Sequence, residues 1–158
     1  MAPRDTLADH PAVVLPPPLL YAAAFGIALV LHWLWPIPIL GDPVAGWIGW
    51  VLVVAGLMLN IWGAWSMHSA RTPINPYRPV RSIIESGAFH LSRNPLYVGL
   101  YFIFAGLTLL IDSLWGLLML LPLLVVIHVG VIRPEERYLA EKFGDAYRAY
   151  CARVRRYL

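Results

Sequence analysis

Four long stretches of this chain contain no Asp, Glu, Lys or Arg, and this feature constrains the fold more than any other. They cover residues 19–35, 44–67, 96–111 and 114–132. A helix that crosses the hydrocarbon core of a bilayer needs about 20 predominantly apolar residues. Only 13% of the chain is charged, which is roughly half the fraction of a soluble domain. The sequence therefore predicts an all-α membrane protein with four transmembrane helices in a single domain.

The connections between these stretches predict how the helices are arranged. The third stretch is short, so we expect it to extend into the interface at both ends. Only Asp112 and Ser113 separate it from the fourth, which predicts a tight antiparallel hairpin. Pro122 lies inside the fourth stretch and predicts a kink there. Residues 1–18 contain two aspartates and three consecutive prolines, so we do not expect a signal peptide.

The basic residues predict the orientation in the membrane. With four crossings, all 12 Lys and Arg residues lie on one side, in the N-terminal segment, the loop between the second and third stretches, and the tail from Arg133. Basic residues concentrate in cytoplasmic loops. We therefore expect both termini to be cytoplasmic, and the compact chain favours a bacterial inner membrane.

The charged tail, residues 133–158, has an amphipathic pattern. Its apolar residues recur at helical spacing: Leu139, Phe143, Tyr147, Tyr150 and Val154. Gly144 followed by Asp145 predicts a helix end and a new N-cap. We expect two short amphipathic C-terminal helices on the cytoplasmic face of the bundle.

Polar residues inside an apolar bundle are candidates for function. The second stretch carries four residues at intervals of four: Gly56, Asn60, Ala64 and His68. They predict either a packing seam of small residues with Asn60 bonded across it, or one wall of a pocket.

His128 is the polar residue of the fourth stretch. It precedes Glu135 by seven residues, so the two share a face if the helix continues through Pro134. His128 is either an inter-helix hydrogen-bond donor or a catalytic group. Glu135 and Glu136 are either a solvated helix end that pairs with Arg133, Arg137 or Lys142, or a binding site for an amine or for ribose hydroxyls.

The segment GAFHLSRNPLYVG, residues 87–99, precedes the third stretch. Pro95 is well suited to the first position of that helix, which leaves Arg93 and Asn94 at its N-terminal end. The free backbone donors there can receive an anionic group. Alternatively, Arg93 holds a lipid phosphate while the aromatic residues lie in the interface. His90 is either a solvated loop residue or a ligand contact.

Three motifs together resemble one family. They are Thr72-x-x-x-Pro76, the Arg93-Asn94-Pro95-x-Tyr97-x-Gly99 turn, and a block from Glu135-Glu136 to Phe143-Gly144 and Tyr147. In this order and spacing they resemble the isoprenylcysteine carboxyl methyltransferase family, a group of membrane methyltransferases that also includes phospholipid N-methyltransferases. The resemblance covers residues 71–158.

The resemblance implies that S-adenosylmethionine binds at the cytoplasmic end of the last two spans. The residues that it implies for this site are Arg93, Asn94, Pro95, Tyr97, Glu135 and Glu136, and His90 is a further candidate for cofactor binding. Prenylcysteine enzymes commonly have His at the position of Asn94, so a role that needs an imidazole there is not expected. The acceptor is expected to be a hydrophobic or lipid-like molecule.

Methyl transfer from a sulfonium mainly requires alignment and desolvation of the nucleophile. A carboxylate acceptor needs no base, whereas an amine or thiol must lose a proton. His128, His90 or a glutamate could take it, and we expect His128 and Arg93 to be catalytic. The single cysteine, Cys151, excludes a zinc site built from several cysteines. We expect membrane lipid as a partner, no nucleic acid and no metal.

Two other functions remain open from the sequence. Sterol reductases resemble the C-terminal block, including a Tyr-Cys pair like Tyr150-Cys151, but they are much larger and use a nicotinamide cofactor. The chain could also be a non-catalytic membrane scaffold with the same fold.

Overall fold

The computed structural model describes residues 16–39, 41, 43–71 and 82–158, and this part of the chain is helical without strands. A π-helical turn, His128–Ile132, joins the helix Leu114–Ile127 to the helix Arg133–Phe143. The helices are α1 (Pro17–Leu34), α2 (Pro43–Ser69), α3 (Ala88–Leu91), α4 (Pro95–Leu110), α5 (Leu114–Ile127), α6 (Arg133–Phe143) and α7 (Asp145–Arg153). The all-α prediction is confirmed for the described residues. The Thr72 and Pro76 motif lies outside them.

Among the described residues, three helices are long and apolar enough to cross a membrane, by length and composition: Pro17–Leu34, Val44–Ser69 and the continuous helix Leu114–Phe143. The shorter α4 has 16 residues, so it is roughly 24 Å long. The hydrocarbon core is roughly 30 Å thick. The fourth crossing, through α4, therefore stays a prediction.

Glycines hold α2 and α4 close together. A Cβ atom added to Gly56 would lie 2.5 Å from the carbonyl oxygen of Gly99, and one added to Gly106 would lie 2.6 Å from that of Gly49. Small residues allow two helix backbones to approach this closely. The glycines of each helix are seven residues apart, so they lie along one face. We call these four residues the glycine seam: Gly49 and Gly56 on α2, Gly99 and Gly106 on α4.

The seam differs in two respects from the predicted series on α2. The Asn60 side chain packs against Gly99, but its Nδ2 donates to the carbonyl of Gly56 in its own helix at 2.9 Å. Asn60 is therefore not bonded across the seam. His68 lies exposed in the last turn of α2 and forms no part of the interface.

The connection from α1 to α2 and the connection from α4 to α5 meet at one end of the molecule. The Asp112 carboxylate accepts hydrogen bonds from the backbone N–H groups of Ile39 (2.8 Å) and Gly41 (3.0 Å). The Leu114 N–H donates to the carbonyl of Ile37 at 2.9 Å. The two connections therefore lie on the same side, as a chain with four crossings requires. Beyond this turn, α4 packs most extensively on α2, and α5 packs most extensively on α1. Because α4 and α5 have other main partners, the tight hairpin of these two helices stays a prediction.

The helix that begins at Leu114 continues through both of its prolines. Pro122 lies inside α5 without ending it. The hydrogen bonding changes to the π pattern at His128–Ile132, shortly before Pro134, which has no N–H to donate to the preceding turn. The prediction that His128 and Glu135 share a face assumed a regular α-helix between them. The π turn changes the angle between the directions of these two side chains.

The tail forms two short helices, as predicted. Gly144 has a φ of +55° and ends α6. Asp145 is the first residue of α7 rather than its N-cap, because Gly144 occupies the cap position. Tyr147, Tyr150 and Val154 are buried in one cluster, which confirms the amphipathic pattern.

Candidate functional site

The site begins at the turn between α3 and α4. Asn94 is the N-cap of α4, but its side chain does not cap the helix. Instead its Nδ2 donates to the carbonyl of Arg156 at 3.0 Å, and its backbone N–H donates to Ser92 Oγ at 3.1 Å. Pro95, the first residue of α4, is fully buried. The sequence prediction of a helix start at Pro95 is confirmed, and the Asn94 amide holds the C-terminal tail.

Tyr97 connects the first turn of α4 to the acidic pair. Its hydroxyl donates to Glu135 Oε1 at 2.8 Å, although the two residues are 38 positions apart in sequence. The Tyr97 carbonyl in turn accepts from the hydroxyl of Tyr21 on α1 at 3.3 Å. Helices α1, α4 and α6 therefore meet at Tyr97.

Glu136 forms an ion-pair cluster with two arginines. Both of its carboxylate oxygens lie within 3.1 Å of Arg156 Nε, and Oε1 lies 3.4 Å from Arg93 Nη1. The hydrogen bond to Glu136 raises the pKa of Arg156. The Glu136 side chain is only 13% exposed, so Glu136 is not part of a solvated helix end. Its partners are Arg93 and Arg156, whereas the sequence suggested Arg133, Arg137 or Lys142.

Arg93 lies between the acidic pair and α7. Its Nη1 donates to the Sγ of Cys151 at 2.6 Å, and Tyr147 lies beside the same sulfur. Burial, with the charge of Glu136 as a further cause, raises the pKa of the Tyr147 phenol, which keeps it protonated. The Nε of Arg93 is buried and has no hydrogen-bond partner in the described part of the chain. Arg93 therefore has one buried donor that no described protein group satisfies.

The two candidate histidines occupy different environments. His128 is partly buried at the start of the π turn, and its Nδ1 lies 2.7 Å from the hydroxyl of Tyr157. His90 is exposed at the end of α3, and the structure gives no contact between its side chain and the acidic pair.

Four residues of this region were not predicted from the sequence as part of the site: Tyr21, Cys151, Arg156 and Tyr157. Each contacts a residue at least 29 positions away, and no local pattern marks such pairs. No group of three or more His, Cys, Asp or Glu residues arranged to hold a metal occurs in residues 16–39, 41, 43–71 and 82–158.

A comparison with protein families gives one match. The family model described as phospholipid methyltransferase matches residues 44–146, which include α2 to α6 and the acidic pair but exclude α1 and the last twelve residues. No curated protein and no solved structure matches the chain. The match is to a methyltransferase family, and it lends no support to a reductase.

Proposed function

The chain belongs to the phospholipid methyltransferase family, and from this membership we propose that it transfers a methyl group from S-adenosylmethionine to a lipid-like acceptor. One observation carries the proposal: the Tyr97–Glu135 hydrogen bond and the Arg93–Glu136 ion pair join two distant motifs into one cluster. The apolar exposed surfaces of the helices suit an acceptor that partitions into lipid.

The residues of the cluster fit the chemical groups of this cofactor. S-adenosylmethionine carries an ammonium, a carboxylate and ribose hydroxyls. Tyr97 engages only Oε1 of Glu135, so Oε2 is the acceptor for an ammonium or a hydroxyl. The buried Nε of Arg93, which has no partner among the described residues, is a donor for a carboxylate.

The two glutamates have different roles in this proposal. Glu135 contacts the cofactor directly, since no donor among the described residues engages its Oε2. Glu136 is a positioning residue, because both of its oxygens are taken by Arg156 and one also pairs with Arg93. Glu136 thereby fixes the Arg93 side chain between the acidic pair and Cys151.

The bound cofactor supplies an electrophilic methyl group on a positively charged sulfur. The protein aligns the acceptor with it and excludes water, since an in-line displacement depends mainly on these two conditions. Tyr97 holds Glu135 in place through its hydroxyl. His128 takes the proton when the acceptor is an amine or a thiol.

The orientation is also part of the proposal. The cluster lies where α4 begins and where the last long apolar helix ends, next to the arginine-rich tail. Basic segments mark the cytoplasmic side of a membrane protein. In this proposal the site therefore faces the cytoplasm.

Isothermal titration of the detergent-solubilised protein tests the proposal. We expect S-adenosylmethionine to bind with a measurable enthalpy and NADPH to give only heats of dilution. Binding of NADPH without binding of S-adenosylmethionine would favour a reductase. Binding of neither ligand by a folded preparation would favour a scaffold.

A further inference from the structure

The last residues of the chain run across the beginning of α4. Val154 is buried and has extended backbone angles. The Arg93 N–H donates to the carbonyl of Arg155 at 2.9 Å, and the Arg156 carbonyl accepts from Ser92 Oγ (3.3 Å) and Asn94 Nδ2 (3.0 Å). These three hydrogen bonds fix residues 154–157, which we call the C-terminal strap, against the turn before α4.

The strap carries two side chains into the region of the site. The first, Arg156, binds Glu136. The second, Tyr157, packs against the hydrophobic cluster formed by α1, α4 and α5, and its hydroxyl lies 2.7 Å from His128 Nδ1. The rings of Tyr157 and His128 are 6.2 Å apart between centroids and are tilted by 41°. The strap lies outside the region matched by the family model.

The Tyr157 hydroxyl determines what the imidazole can do. The hydrogen bond that one ring nitrogen makes selects which nitrogen carries the proton in a neutral histidine. With the proton on Nδ1 and donated to the Tyr157 oxygen, the Nε2 lone pair is free to accept a proton. Burial raises the pKa of Tyr157, so its hydroxyl stays neutral, and the oxygen of a neutral phenol has lone pairs that can accept from Nδ1.

We infer that Tyr157 is a positioning residue for methyl transfer: it accepts the Nδ1 proton of His128 and thereby leaves Nε2 as the proton acceptor. The inference rests on the proposed function and on an acceptor group that carries a proton. His128 Nε2 takes that proton, the lone pair of the acceptor atom forms the bond to the methyl carbon, and the electrons of the carbon–sulfur bond return to sulfur.

The test combines a spectroscopic measurement with a kinetic one. Full-length protein labelled with ¹⁵N-histidine contains five histidines, and long-range ¹⁵N–¹H correlation spectra report the protonated nitrogen of each. We expect His128, assigned through His128→Gln, to carry its proton on Nδ1 in the wild type and to lose this preference in Tyr157→Phe. The matched control is Tyr138→Phe, which removes a hydroxyl from α6 outside the strap and should leave the spectrum of His128 unchanged.

The kinetic measurement uses tritium-labelled S-adenosylmethionine and vesicles of phosphatidylethanolamine and phosphatidylglycerol. We expect Tyr157→Phe to lower kcat by about tenfold or more, with the cofactor dissociation constant unchanged. A loss of cofactor affinity with unchanged kcat would mean that Tyr157 only holds the strap, and would overturn the inference.

The spectroscopic result separates this inference from the proposed function. A proton on Nε2 of His128 in the wild type overturns the positioning role even if methyl transfer is observed. A proton on Nδ1 that is lost in Tyr157→Phe supports the positioning of the imidazole. If the wild type then transfers no methyl group, the proposed function fails and His128 is not its base.

Discussion

Glu135 and Glu136 follow one another in sequence, but their carboxylates have different partners. Glu135 receives one hydrogen bond from Tyr97, whereas Glu136 is bound by two arginines. Successive residues of a helix point about 100° apart, so the two side chains reach different neighbours. One carboxylate is therefore held by a tyrosine hydroxyl through a single oxygen, while the other is held by two arginines.

The first prediction concerns the difference between these acids. Glu135→Gln should weaken binding of S-adenosylmethionine by about 1.5–3 kcal/mol, or roughly ten- to a hundredfold, because a charged contact is lost. Glu141→Gln, at an exposed position of the same helix, is the matched control and should leave the affinity unchanged. Titration calorimetry on both variants measures the effect. A shift of less than about threefold for Glu135→Gln, within the range of a surface pair, would remove Glu135 from the site.

The second prediction concerns Glu136. Glu136→Gln should lower the thermal stability of the protein, because it leaves Arg93 and Arg156 without their shared counter-charge. A hydrogen bond to a charged group contributes about 1.5–3 kcal/mol. Thermal unfolding in detergent, with Glu141→Gln measured alongside, checks the prediction. An unchanged midpoint for Glu136→Gln would show that the ion-pair cluster does not stabilise the fold.

The third prediction concerns Arg93. Arg93→Lys should weaken cofactor binding markedly, because a lysine replaces the planar guanidinium and its Nε donor with a point charge. Arg148→Lys is a suitable control, since Arg148 is exposed and pairs with Asp145, three residues earlier in α7. Calorimetric titration with S-adenosylmethionine measures both. If Arg93→Lys binds S-adenosylmethionine as tightly as the wild type does, Arg93 holds the C-terminal tail or lipid headgroups and does not bind the cofactor.

At the scale of the helices, the glycine seam allows the close approach of α2 and α4. The fourth prediction is that Gly56→Ala destabilises the protein, because the new Cβ would lie 2.5 Å from the Gly99 carbonyl oxygen. Overpacking of this kind costs about 1–3 kcal/mol. Gly46→Ala lies on the same helix with nothing within 4 Å of its new Cβ, so it should be neutral or slightly stabilising. Unfolding of the two variants in detergent compares them, and equal stabilities would contradict the close packing.

The sequence predicted the helices better than it predicted their contacts. Uncharged stretches and flanking prolines mark where α1, α2, α4 and α5 begin, so the observed starts lie within two residues of the predicted ones. The π turn was not predicted, because a change of hydrogen-bond register leaves no pattern in residue type. The one-turn helix α3 is too short to show periodicity.

For the site, too, the sequence predicted the residues better than the contacts between them. Arg93, Tyr97, Glu135 and Glu136 were predicted as a group because they belong to motifs, and the structure brings them together. The C-terminal strap was not predicted, because its three hydrogen bonds to the turn before α4 join residues about 60 positions apart. Such pairings depend on how α6 and α7 return the chain to α4, and a single sequence does not contain that information.

At the scale of the whole molecule, the positions of the charges and of the site imply a topology. The fifth prediction is that both termini are cytoplasmic, because every Lys and Arg lies on one side of a chain with four crossings and basic residues concentrate on the cytoplasmic side. Reporter fusions after Gly41 and after Asp112 should report the compartment opposite to a fusion after Leu158. A C-terminal fusion that reports the same compartment as the fusion after Asp112 would contradict the four crossings and the cytoplasmic site.

The central claim is that this membrane protein transfers a methyl group from S-adenosylmethionine through the cluster around Glu135. The most direct measurement incubates the reconstituted protein with S-adenosyl[methyl-³H]methionine in lipid vesicles and counts the label that enters the organic extract. We expect time-dependent labelling by the wild type and by Glu141→Gln, and a loss of about tenfold or more in Glu135→Gln at a limiting cofactor concentration. Equal labelling by Glu135→Gln and wild type would contradict the site, and a folded wild type that labels no lipid would contradict the claim itself.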